Sequence, residues 1–191
     1  MYPRNLYCFS LFLRNCLIIH HLNNICICFL PVLYLPVSMA ISDLRLILAD
    51  DDEDDCLLFE EALADVELPV DLTILHDGKQ LMQYLEKNYP RLPAAIFLDL
   101  NMPRKNGFEC MMEIKQNPQL NKLMVIIFTT NYDREVVNQL YQNGAHYYIR
   151  KPAQFSGLRQ VLRSTIDLLR NGSISQPTRE EFVLTGEPRI N

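Results

Sequence analysis

Five residues between positions 50 and 151 have the types needed to hold and accept a phosphoryl group: Asp50, Asp51, Asp99, Thr129 and Lys151. Three carboxylates brought to one crevice repel one another, and they are the donor set that a hard divalent cation with oxygen ligands requires. Mg²⁺ fits best, since it takes one or two protein carboxylates, keeps several waters and shares its shell with phosphate. A hydroxyl from Thr129 and an ammonium from Lys151 would supply a hydrogen-bond donor and a charge clamp for the phosphoryl oxygens, and an aspartate the nucleophile. Taken singly, each residue has an ordinary explanation as a turn former, a β-former or the start of a loop. Their recurrence at successive strand ends does not.

Those ends follow from the periodicity of the chain. LRLILAD reads as a strand ending at the acidic pair, and CLLFEEALADV as a helix with Leu57, Leu58, Ala62 and Val66 at helical spacing. LTIL is a second strand, and Asp77-Gly78 turns into the helix KQLMQYLEKN. AAIFLDL, apolar without interruption up to Asp99, reads as a strand buried on both faces. After the loop NMPRKNG come a helix through Phe108, Met111, Met112 and Ile114, the strand MVIIFT, a helix from Asp133 to Asn143 closed by Gly144, the strand HYYIRK and the helix FSGLRQVLRSTIDLLR. Alternating strands and helices predict an α/β fold: a flavodoxin-like, doubly wound (βα)5 domain with a five-stranded parallel sheet in the order 2-1-3-4-5. Its switch point lies between the first and third strands, beside Asp50, Asp51 and Asp99.

Asp50 to Asp55 form an unbroken acidic run of which only the first two belong to the expected crevice. Asp52 to Asp55 fall at a helix start, where carboxylates cap free N–H groups and meet the positive end of the dipole. Asp54 and Asp55 are expected as cap or first-turn residues.

Composition divides the chain of 191 residues into three parts: 1–38, 39–171 and 172–191. Residues 1–38 are hydrophobic, with Arg4 and Arg14 but no acid. They read as lying upstream of a true start at Met39 or, failing that, as a weak anchor, because Pro31 and Pro36 interrupt an apolar run too short to span a bilayer. Residues 39–171 form the domain, with no membrane segment of their own. They are acidic overall, which argues against nucleic-acid binding. Cys56 and Cys110 stand unpaired in helical patterns, as suits a reducing, cytoplasmic setting. Residues 172–191 read as a flexible tail in which EEFVL is at most a short docking element, too little for a DNA-binding output domain.

The acidic pair Asp50-Asp51, the DLNMP motif with Asp99, Gly107 of KNGFE, Thr129 and Lys151-Pro152 together resemble the receiver domains of two-component response regulators, in order and spacing, from about Leu44 to Arg170. HDGKQLMQYL, DLNMPRKNGFE and IKQNP are most similar to single-domain regulators of the phytochrome-associated kind. The resemblance implies that Asp99 accepts a phosphoryl group from a sensor histidine kinase or histidine phosphotransfer protein. It also implies that Asp51, Asp99 and the backbone carbonyl of Asn101 bind Mg²⁺, with Asp50 acting through water, and that Lys151 pairs with the phosphoryl group. Further implications are a cis Lys151-Pro152 bond, an aromatic switch at Tyr148 coupled to Thr129, and tuning of phosphoaspartate hydrolysis by Asn131. The output would be a homodimer or docked partner on the face of helix four, strand five and helix five, with Tyr141, Tyr147 and Tyr148 as aromatic anchors. Such a protein promotes only its own phosphorylation and dephosphorylation. Two rivals are a phosphorylation-independent binding module, which would commonly lack the acceptor, the lysine or the acidic pair, and an Mg²⁺-dependent aspartyl phosphatase, which needs a general acid where this chain has Asn101.

Overall fold

The computed structural model describes residues 44–66, 69–172 and 175–185. Residues 1–38, expected as a hydrophobic extension, lie outside the described residues. The elements alternate as β1 (Leu44–Ala49), α1 (Glu53–Ala64), β2 (Val70–Leu75), α2 (Gly78–Asn88), β3 (Ala95–Leu98), α3 (Gly107–Gln116), β4 (Met124–Thr129), α4 (Arg134–Gln142), β5 (Tyr147–Arg150), α5 (Phe155–Arg170) and β6 (Val183–Leu184).

All strand pairs are parallel, in the order β2-β1-β3-β4-β5-β6. Because strand side chains alternate in direction, the sheet feeds two cores. Ile47, Ala49, Ile96, Leu98, Val125, Ile127 and Tyr148 meet α2, α3 and α4 on one face. Leu46, Leu48, Phe97, Ile126, Phe128, Tyr147 and Ile149 meet α1 and α5 on the other. Burial on both faces accounts for the unbroken apolar runs of β3 and β4.

The expected five-stranded sheet is corrected to six strands among the described residues. Tyr148 and Ile149 of β5 pair with Val183 and Leu184, and Phe182 is fully buried against Tyr148 and the α4 core. Residues 176–181, expected within a flexible tail, lie along α4. Gln176 donates to the carbonyls of Tyr141 and Ala145 at 2.6 and 2.8 Å, the Tyr141 hydroxyl donates to Pro177 O at 3.1 Å, and Arg179 donates to the Asn138 side chain. EEFVL, expected as at most a short docking element, does dock, but as a sheet strand, which its short apolar run did not indicate. Only the fold supplies the edge it pairs with.

Polar side chains start the helices. Asp52, rather than Asp54 or Asp55, caps α1 and accepts from both their amides at 2.9 and 3.1 Å, and Asn106 and Glu109 form a reciprocal box at the start of α3. Asp54 and Asp55 occupy the first turn, as expected.

Candidate metal and phosphoryl site

Backbone hydrogen bonds bring the strand ends level. The amide of Asp50 donates to Leu75 O and that of Asp99 to Ala49 O, both at 2.9 Å, while the amide of Lys151 donates to Thr129 O at 2.8 Å. The carboxyl ends of four neighbouring strands therefore present their next residues along one edge, at the switch point of the sheet.

There Asp50, Asp51 and Asp99 each offer a carboxylate oxygen, all within 4.8 Å of one another. Asp50 and Asp99 are buried and Asp51 is exposed, so the cluster opens to solvent on one side. The trio can hold a divalent cation by the chemistry of its donors. Asp99 is braced by the amide of Asn101, which donates to its Oδ2 at 3.2 Å, and Asp50 by the amide of Asp52 at 3.2 Å. Burial pushes the Asp50 carboxyl above its ordinary value, against the opposing pull of Lys151. A cation in the cluster would reverse that direction.

Lys151 lies almost wholly inside, with its ammonium 2.7 Å from Asp50 Oδ2 and 2.6 Å from Asp55 Oδ2. Burial alone would lower its pKa, but the hydrogen bonds to Asp50 and Asp55 outweigh burial and the net shift is upward. Thr129 is fully buried, and its Oγ1 has no hydrogen-bond partner among the described residues. Buried hydroxyls are normally paired, and among the described residues this one has no acceptor.

The loop from Leu100 to Asn106 is held close beneath the site. A Cβ on Gly107 would sit 2.0 Å from Asp99 O, so any larger residue there displaces the backbone carrying Asp99 and Asn101. Arg104, with φ at 66°, reaches back to the carboxylate of Asp77, the buried cap of α2. Amide and guanidinium donors hold the Asp77 carboxyl below its ordinary value despite its burial.

The structure thus gathers Asp50, Asp51, Asp99, Thr129 and Lys151 from sequence positions that span most of the domain. Asn101 follows Asp99 on the exposed side of the loop. Asn131 is exposed, but its carbonyl accepts from the Tyr148 hydroxyl. Tyr148 is buried, its ring packed edge-on against Tyr132 and tilted toward Phe182, and burial pushes its phenol up to about 12.

Three expectations are corrected. Tyr147 and Tyr148 are core residues, and Tyr141 packs edge-on against Phe182 beneath Arg179, so none of the three is a free surface anchor. Among the described residues the cis X-Pro bond is Tyr89-Pro90, not Lys151-Pro152. Asp55 is more than a first-turn residue, since it grips Lys151. Helical spacing places Asp55 on the side of α1 that faces the crevice, but nothing in the sequence tells which basic group lies opposite.

Residues 46–163 match the response regulator receiver domain family. The chain belongs to that family. The receiver is 33% identical over 123 residues to the response regulator Rcp1 of Synechocystis, covering 62% of this chain and 83% of that protein. Among solved structures it is similar to the Mn²⁺-bound form of Rcp1, with a TM-score of 0.60, 31% identity, and coverage of 70% of this chain and 99% of that one. It is also similar to the phosphorylated cyanobacterial phytochrome response regulator RcpA, with a TM-score of 0.62, 29% identity, and coverage of 71% and 99%.

Proposed function

We propose that this receiver is a phosphoacceptor switch in which Asp99 takes the phosphoryl group from the phosphohistidine of a sensor kinase or phosphotransfer protein. An Asp99 carboxylate oxygen forms the new bond to phosphorus as the N–P bond of the donor breaks, and the electron pair stays on the leaving imidazole nitrogen. The observation that carries this reading is the conjunction of an acidic trio within 4.8 Å and a buried, unpartnered Thr129 hydroxyl at the neighbouring strand end.

Asp51, Asp99 and the Asn101 carbonyl would hold Mg²⁺, with Asp50 contributing through water. The ion, when bound, neutralises charge on the transferring oxygens. Rcp1 has been seen with Mn²⁺, which supports a divalent ion here. Lys151 pairs with one phosphoryl oxygen and Thr129 donates to another, each from the end of a strand beside Asp99. Asn131, exposed beside them, tunes the approach of the water that hydrolyses the phosphoaspartate.

Once Thr129 turns toward a phosphoryl oxygen, β4 and the following loop shift, and the Tyr148 hydroxyl, bonded to Asn131 O, reports that shift to β5. The readout is a change at the α4, β5 and α5 face, through a homodimer or a docked partner.

The test is labelling by acetyl phosphate with Mg²⁺. Wild type should be modified at one site and Asp99→Asn should not. Modification of the Asn variant at the wild-type rate would overturn the assignment.

A further inference from the structure

Lys151 has two carboxylate partners in the same half-shell, and only one of them belongs to the acidic trio. Asp50 Oδ2 stands 2.7 Å from its ammonium and Asp55 Oδ2 stands 2.6 Å away. The ammonium also lies 5.5 Å from the centre of the Phe128 ring, a third favourable contact. Asp55, which accepts a hydrogen bond from the ammonium, is a residue of α1. The Asp55 amide is fixed in turn by the Asp52 cap at 3.1 Å, so the carboxylate is presented from an anchored first turn of the helix.

From this geometry we infer that Asp55 is a positioning residue that holds Lys151 away from Asp99 and competes with the phosphoryl group for it. The inference rests on the phosphoacceptor reading of Asp99. Forming the acyl phosphate replaces a carboxylate of charge −1 with a group of charge close to −2. The new anion gains most by taking the ammonium out of its present pair, which leaves Asp55 as an unpaired acid beside an already acidic cluster. Asp55 therefore lowers the stability of the phosphorylated state through both the contact it gives up and the charge it leaves behind. Removing that carboxylate frees Lys151 and makes the crevice less negative, and the two effects act in the same direction.

Beryllofluoride, an unreactive stand-in for the aspartyl phosphoryl group, reads this competition at equilibrium. Asp55→Asn should bind it about fivefold more tightly than wild type, the size expected for losing a partly exposed competing ion pair. It should also hold phosphate from acetyl phosphate correspondingly longer. Asp55→Glu, which keeps the charge within reach of Lys151, should stay near wild type. Asp54→Asn is the control for simple loss of an acid, because Asp54 lies in the same exposed first turn and forms no ion pair among the described residues. Equal affinities in Asp55→Asn and Asp54→Asn would overturn the inference while leaving the phosphoacceptor reading intact. Weaker binding in Asp55→Asn at unchanged thermal stability would overturn it too, showing a supporting contact instead of a competing one. Wild type that binds no beryllofluoride with Mg²⁺ would remove the phosphoacceptor reading itself, so the two failures are distinguishable.

Discussion

A hydroxyl buried without a partner, as in Thr129, costs a fold roughly 1–3 kcal/mol relative to a satisfied one. Such a cost is tolerated where an incoming ligand repays it, and among the described residues Thr129 Oγ1 has no hydrogen-bond partner. Thr129→Val keeps the shape of the side chain and discards the hydroxyl. The unphosphorylated variant should melt at or above the wild-type temperature, whereas beryllofluoride should bind it roughly tenfold more weakly, about 1.4 kcal/mol for one lost charge-assisted hydrogen bond. A fall in melting temperature of several degrees would mean that the hydroxyl is already satisfied in the resting protein. Lys151 is the counterpart case, a group fully partnered at rest that must exchange partners on phosphorylation.

At the scale of elements, β6 is held by little backbone pairing of its own and much side-chain burial. Two residues pair with β5, and the Tyr148 amide donates to Phe182 O at 2.8 Å. The ring of Phe182 is fully buried among Tyr141, Tyr148 and the α4 core. Phe182→Ala should destabilise the domain by about 3 kcal/mol, the low end for a large buried aromatic, because a terminal segment can peel away without leaving a sealed cavity. Amide exchange at Tyr148 should accelerate in the same variant while exchange in β1 and β3 stays slow. Protection at Tyr148 equal to wild type would show that β6 pairing survives without the ring. The short α2 and α3 helices behave differently. Their caps, Asp77 through Arg104 and the Asn106–Glu109 box, fix the far end of the loop beneath Asp99, while Met102 seats its middle in the core.

For the molecule as a whole, the proposed output face is already partly occupied by residues 176–184 of the same chain, so any self-association through α4, β5 and α5 must build on β6 or displace it. Light scattering with and without beryllofluoride should show a higher mass with the mimic in wild type and no change in Thr129→Val. A mass unaffected by the mimic, together with unchanged partner affinity, would rule out this face as the output. Much of the whole was legible in the residues alone. Apolar periodicity marked β1 to β5 and the two-faced burial of β3 and β4, and right-handed crossovers left few orders, of which the flavodoxin-like one sets the residues after β1, β3, β4 and β5 along one edge. The inward setting of Tyr147 and Tyr148, the seating of Phe182 and the grip of Asp55 on Lys151 were decided by tertiary structure alone. Each depends on which surface lies opposite across a gap of many residues, and local patterning shows that a side chain is apolar or charged without showing what will face it.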